Sequence, residues 1–284
     1  MKSFFVITNV SRDPGAEMAK KIADYLRSKD CTCDFVAIER DSDPDSEQIR
    51  KIRTLPDDTD AVLVLGGDGT FTQCAGLLAP GQLPMIGVNM GHLGYLAEVE
   101  VEKITQALDK LINDDYEIVD RMLLSGTPVI DGKNMGGVYA VNDIVVKTSG
   151  SSVGYFTIEV NGTHLTTISG DGVIVATPTG STAYNMSAGG PIVEPGSSMI
   201  VLTPICPLEV VSRSVVLSAA DTVVIRLIKP AGRRIKTAGV YFDGAVDYPL
   251  SNEDEVIIRK AEASIRLIKL SRESFLEVLA RKMG

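Results

Sequence analysis

Residues Ala61 to Thr70, AVLVLGGDGT, constrain this chain more than any other stretch. An apolar run with two valines that halts at paired glycines reads as a buried parallel strand delivering a turn at its C-terminal end. Open α/β sheets place their ligands at that end of the strands. Glycines at 66, 67 and 69 remove the Cβ atoms that hold a bulky anion off the backbone, so the N–H groups of the turn can face phosphate oxygens. Asp68 is the unusual member, because a carboxylate beside phosphate repels it unless it holds a metal ion or takes a proton. The plain alternative is an Asp-Gly turn that only reverses the chain.

Around this turn the chain alternates strand and helix, the pattern of a parallel sheet. Phe4 to Val10 and Cys33 to Ile38 read as strands, and Pro14 to Ser28 as a helix on the spacing of Met18, Ala19, Ile22 and Leu26. Glu39 to Glu47 reads as a solvated acidic loop placed where a lid would also fit. Phe71 to Leu78 is expected to be helical, which adds a helix N-terminus to the phosphate site. Pro84 to Val88 is a further strand, ending in the loop Asn89, Gly91, His92, Gly94 and Tyr95. His92 is either a ligand contact or a capped loop histidine, and Tyr95 either a ring for stacking on a base or a core tyrosine. Val101 to Leu111 follows as a helix.

From about Tyr116 the runs become short and β-branched, broken by Gly, Asn, Asp or Pro: Val138 to Val146, Tyr155 to Val160, Gly172 to Thr177, Met199 to Thr203, Val215 to Leu217 and Thr222 to Ile228. The expectation is therefore an α/β domain over 1–115 with a parallel sheet, an all-β domain over 116–270, and a C-terminal helix over 271–284. That helix, with Phe275, Leu276 and Leu279 on one face, is expected to pack back on the first domain.

Charge and cysteine usage remove several function classes. A net charge of -9, from 28 basic and 37 acidic residues without a Lys/Arg block, argues against nucleic acid or an anionic membrane as partner. No apolar run approaches the roughly 20 residues of a membrane span or forms a secretory signal, so the expected location is cytoplasmic. Cys31-x-Cys33 lacks the second pair that a zinc site needs, and two histidines cannot build a His-rich centre.

A second stretch narrows the function. Gly170 to Val193, GDGVIVATPTGSTAYNMSAGGPIV, interrupts strand with small residues and lines the breaks with hydroxyl and amide groups. Such a segment suits a cleft wall that lets a nucleotide approach the backbone; its plain alternative is a Gly/Ser-rich loop between strands. The P-loop and dinucleotide fingerprints, GxxxxGK[ST] and GxGxxG, are both absent.

GGDGT at 66–70 followed by this segment closely resembles the NAD kinase family, as do NMGHLGYLAE at 89–98, the Asn142-Asp143 pair in AVNDIVV, and TPICP at 203–207. The resemblance runs in order through nearly the whole chain. It implies an N-terminal α/β domain, a β-sandwich-like C-terminal domain that builds homo-oligomers (dimers or tetramers), and transfer of the ATP γ-phosphate to the adenosine 2′-hydroxyl of NAD. It assigns the proton acceptor to Asp68 and places Gly69 with it at the NAD site. Gly66, Gly67, Gly69 and Thr70 would serve the ATP phosphates, Asn142 and Asp143 a ribose, and Tyr95 the surroundings of adenine. Asp171 and the run Thr182, Ala183, Tyr184, Asn185, Met186 and Ser187 match positions that hold the dinucleotide.

Three departures stand out: Leu208 where the family often has His, Gln73 where Arg is common, and Ala245 where Gln often follows the late Asp-Gly. Arg213 is either a phosphate partner or a surface ion pair. The expected mechanism brings ATP and NAD together between the domains, with magnesium or another divalent ion bridging the triphosphate and Asp68 orienting or deprotonating the hydroxyl. Two rivals remain. A diacylglycerol-type lipid kinase shares GGDGT but not TPTGSTAYNMSAGGP, and a non-catalytic NAD-binding sensor would bind better without the charge of Asp68.

Overall fold

The computed structural model describes residues 1–39, 43, 45–91, 94–149, 153–209, 212–228, 238–244, 246–251 and 253–283. His92, Ala245 and part of the acidic stretch between Glu39 and Glu47 lie outside the described residues. The chain divides into two units, Met1–Arg121 with Ala263–Gly284, and Met122–Glu262. The second unit begins after Arg121, and the chain returns to the first unit at Ala263, inside a strand.

The first unit contains β1 (Ser3–Asn9), α1 (Glu17–Ser28), β2 (Thr32–Ile38), α2 (Glu47–Arg53), β3 (Ala61–Gly66), α3 (Asp68–Leu78), β4 (Pro84–Asn89), β5 (Ala97–Glu100) and α4 (Ile104–Ile112). Its sheet runs β2-β1-β3-β4, parallel throughout. Both faces are covered, which is why Phe4, Phe5, Val6 and Ile7 are all buried in succession. On one face Phe4, Val6, Leu63 and Leu65 pack with Ala19, Ile22, Ala23 and Leu26 of α1 and with Ala107, Leu108 and Leu111 of α4. The start of α1 is fixed by buried Asp13, whose two oxygens accept from the amides of Met18 and Ala19 at 2.9 and 3.1 Å.

Helix α2 was not legible as a helix in the sequence. It has seven residues, and only Ile49 and Ile52 mark its buried side. Ser46 caps it by accepting from the Ile49 amide at 3.4 Å. Helix α3 also begins earlier than the expected Phe71. Its first residue is Asp68, so the carboxylate of the glycine turn lies in the first helical turn.

The second unit continues with β6 (Glu117–Ile130), β7 (Lys133–Asn134), β8 (Val138–Ala140), β9 (Asp143–Thr148), β10 (Gly154–Val160), β11 (Thr163–Gly170), β12 (Gly172–Ala176), α5 (Tyr184–Ser187), β13 (Met199–Ile205), β14 (Val215–Ser218), β15 (Val223–Leu227), β16 (Ala238–Phe242), β17 (Val246–Leu250) and β18 (Glu255–Lys269). One antiparallel sheet has the order β14-β13-β12-β9-β16-β17. Its inner residues Ile144, Val146, Val173, Val175 and Val240 pack against Phe156, Ile158, Ile225 and Ile258 from β10, β15 and β18. The opposite face is covered too: Val145, Ile174 and Val201 contact Ala188 and Val193 of the second sequence motif. This double burial explains why Ile144, Val145 and Val146 of β9 and Val173 to Ala176 of β12 are apolar in succession.

The end of β18 pairs in parallel with β4, Arg266 opposite Pro84 and Leu267 opposite Met85. The chain closes with α6 (Phe275–Met283) in the first unit. Among the described residues no helix is long and apolar enough to cross a membrane.

Candidate active site

In the first unit the tips of β1, β3 and β4 converge at the glycine turn. Gly67 is the N-cap of α3 and is exposed, as is Gly69, so the helix N-terminus opens toward solvent. Thr70 is buried instead, and its hydroxyl accepts from the Asn9 amide at the end of β1 at 3.0 Å. That bond uses an acceptor lone pair of Thr70 and leaves its O–H donor uncommitted, so it ties the sheet edge without using the group that a phosphate would take.

Asp68 is held by the loop that follows β4. Its Oδ2 accepts from the Tyr95 amide at 2.7 Å and its Oδ1 from the Leu96 amide at 3.2 Å. Gly94 makes this possible, since a Cβ there would overlap the Asp68 carboxylate. The two loops singled out in the sequence therefore meet through one side chain. Each carboxylate oxygen keeps a further lone pair for a ligand or proton.

A second group forms in the other unit around Asn142 and Asp143. Asp243, which the sequence reading did not identify, accepts from the amides of Val141, Asn142 and Asp143 at 2.8, 2.7 and 3.1 Å. Asp243 in turn donates its own amide to the Asp143 carbonyl at 3.0 Å. From the other side Thr177 donates its amide to the Asn142 carbonyl at 2.8 Å and its hydroxyl to the Val141 carbonyl at 2.6 Å. A Cβ on Gly180 would collide with the backbone of Asn142, so only glycine lets this segment lie so close. Burial pushes the Asp143 carboxyl up to about 7, with the like charge of Asp243 adding to it. Asp243 is itself raised to about 6 by burial, against the pull of its three amide partners.

The motif at 170–193 divides into inward and outward residues. Asn185 is fully buried: its Nδ2 donates to the carbonyls of Ser181 and Pro191, both at 3.0 Å, and its Oδ1 accepts from Thr203 at 2.7 Å. Thr182 is buried and donates to the Thr179 carbonyl at 3.3 Å. Asn185 differs from the expectation that it presents polar atoms to a dinucleotide, since both ends of its amide are engaged in folding the segment, whereas the Thr182 hydroxyl donates within the segment and keeps its acceptor lone pairs. Tyr184 at 39% and Met186 at 41% exposure point outward, and Ser187 and Asp171 are exposed as well. Ala183 is intermediate. Replacing Asn185 by Ala leaves buried partners without bonds, at a cost of about 1–3 kcal/mol each. Thermal denaturation should show a clearly lowered Tm, and an unchanged Tm would return Asn185 to the ligand-facing set.

Of the three departures, Leu208 is 64% exposed, and the Gln73 Oε1 is buried without a hydrogen-bond partner. Ala245 lies outside the described residues.

Comparison with known proteins bears on both units. Residues 6–116 match the ATP-NAD kinase N-terminal domain and residues 141–270 the ATP-NAD kinase C-terminal domain. The NAD kinase of Agathobacter rectalis is 39% identical, over 100% of this chain and 99% of its own. That of Lachnospira eligens is 37% identical over 100% of both. Two solved structures share the fold. A yeast NADH kinase complexed with NADH has a TM-score of 0.88 at 22% identity, covering 100% of this chain and 88% of that one. An Archaeoglobus fulgidus NAD kinase in complex with ATP has a TM-score of 0.75 at 24% identity, covering 99% and 100%. Matched along both domains and over its full length, the chain belongs to the NAD kinase family of ATP-dependent kinases.

Proposed function

We propose that the protein moves the γ-phosphate of ATP to the adenosine 2′-hydroxyl of NAD with Asp68 as the acceptor of the hydroxyl proton. The observation that carries this reading is the placement of Asp68. A carboxylate in the first turn of α3, gripped by two amides of the β4 loop, is fixed beside exposed backbone N–H groups able to take phosphate. Phosphoryl transfer needs positioning and charge neutralisation more than covalent help, and this turn supplies both. Gly67 and Gly69 give the phosphates access to the backbone. Asp143 accepts ribose hydroxyls, and Asp243 holds it in place.

Magnesium fits this donor set as a ligand carried on the triphosphate. Among the described residues no group of three or more His, Cys, Asp or Glu could hold a metal ion. Hydrated magnesium needs only one or two carboxylates besides phosphate oxygens, and Asp68 is the carboxylate the turn offers. When bound, the ion offsets charge on the transferring phosphoryl.

Formation of NADP or NADPH from magnesium-ATP with NAD or NADH tests the activity and ranks the two acceptors. Product with neither acceptor would remove the reading. Tyr184 is read as an adenosine contact of NAD, supported by its exposed ring. Tyr184→Ala should weaken NAD binding in calorimetry by about tenfold with little change in Tm. A collapse in Tm would make it a packing residue. Homo-oligomers through the second unit fit the exposed Met199 and Val216 on β13 and the edge strand β14. Light scattering of the purified chain tests this, a monomeric mass being the contrary result.

A further inference from the structure

Helix α6 brings a cation to the glycine turn from the far end of the sequence. Its N-terminus is closed by Ser274 and Glu277: the Ser274 amide donates to Glu277 Oε2 at 2.6 Å, and the Glu277 amide to Ser274 Oγ at 3.3 Å. Arg281 clasps Glu273 through both guanidinium nitrogens, at 2.8 and 3.1 Å. The segment before the helix is tied down by Glu98, which accepts from the amides of Leu270 and Ser271 at 3.0 and 2.7 Å.

The half-buried stripe of α6 is Phe275, Val278, Leu279 and Lys282, the i, i+3, i+4, i+7 spacing of an inner face. Leu276, expected on that face, is instead 70% exposed. The stripe therefore ends in a lysine where an apolar residue is the usual choice. The Lys282 ammonium lies 3.6 Å from the centre of the Tyr95 ring. Tyr95 is the residue whose amide grips Asp68. Burial lowers the pKa of Lys282, while Asp68 favours its charged form and Arg281 opposes it. The stretches 61–73 and 94–100, which form the turn and the gripping loop, contain neither Lys nor Arg.

We propose that Lys282 binds the phosphoryl group that is transferred, as the γ-phosphate of ATP before the reaction and as the 2′-phosphate of NADP after it. This rests on the reading that Asp68 faces the acceptor hydroxyl. A phosphoryl delivered to that hydroxyl ends beside Asp68, where the ammonium over Tyr95 is at hand. A lysine suits the task, because its flexible stem lets the charge move from the face of a ring to an incoming anion.

The test compares ligands that differ only by this phosphoryl. In calorimetry on the full chain, Lys282→Met should weaken NADP and ATP about 10- to 100-fold, the loss of a charge-assisted bond. NAD and ADP should change by no more than about threefold. Lys282→Arg should restore most of the NADP affinity. Should the Met variant lose its cooperative melt, Lys282→Gln is measured in its place. Equal weakening of NAD and NADP would overturn the proposal and make Lys282 a support for the Tyr95 ring; so would unchanged binding of all four ligands. These are binding measurements, so they stay readable even if Asp68→Asn retains turnover and the reading of Asp68 fails on its own terms.

Discussion

Asp68→Asn is expected to lower turnover about 10²- to 10⁴-fold at saturating ATP and NAD, the usual worth of a positioned general base. That range corresponds to about 2.7–5.4 kcal/mol of barrier. If Asp68 acts on the hydroxyl proton, removing a negative charge beside phosphates should leave ATP affinity level or improved; a sharp fall in ATP affinity would instead mean that Asp68 acts mainly through the magnesium ion. The substitution is less conservative than its shape suggests, because Asp68 also holds the amides of Tyr95 and Leu96. An asparagine offers one acceptor oxygen and an NH₂ group, so one of those amides would face a donor. That exchange costs about 1–3 kcal/mol and should speed hydrogen exchange at residues 95 and 96.

Gly94→Ala separates the two roles. It keeps the carboxylate but adds a methyl that would overlap it, so the loop must shift while the charge stays. If chemistry dominates, steady-state kinetics should show Gly94→Ala well above Asp68→Asn in turnover. Equal losses would assign the effect to loop placement, and near-normal turnover in Asp68→Asn would remove it as the base.

On the proposed ribose contact, which needs the ionised form of Asp143, NAD binding should weaken as pH falls below about 7, approaching tenfold per pH unit. Stability should move the other way. A carboxyl whose folded pKa is raised binds its proton more tightly in the native state, so between 3.8 and about 7 the protein becomes less stable as pH rises. Asp243, raised to about 6, contributes with the same sign. The displacement of Asp143 from 3.8 to about 7 corresponds to as much as about 4 kcal/mol at alkaline pH. Asp143→Asn should therefore raise Tm at pH 8 and lose that advantage near pH 4, while the KM for NAD rises far more than the KM for ATP. An equal rise in both KM values would count against the ribose assignment. A Tm difference independent of pH would mean that Asp143 titrates normally in the folded protein.

Some of this molecule was readable before its structure. The strand and glycine turn at 61–70 were legible because a fully apolar run broken by glycines has few other meanings, and β3 spans Ala61–Gly66 as that pattern requires. The helical spacing of α1 was equally clear. Strand β18 was not, because its fifteen residues carry Arg, Lys and Glu between the buried Val256, Ile258, Ala261, Ile265 and Ile268. A strand half exposed for much of its length does not read as an apolar run. Nor could composition divide the motif at 170–193: Asn185 and Tyr184 are neighbours, yet one is sealed in the fold and the other faces out.

The sequence by itself determined the alternation of strand and helix in the first part of the chain, the position of the glycine turn and the family, since these depend on local periodicity and on contiguous motifs. Only the tertiary structure decided what each polar group does. Asp68 reaches amides 27 and 28 residues away, and Asp243 grips a loop across 100–102 residues. Lys282 arrives over Tyr95 from the end of the chain. Such contacts have no local signature. They exist because paired strands set residues side by side whatever their distance in sequence, and because a half-buried carboxylate finds donors wherever the fold brings them.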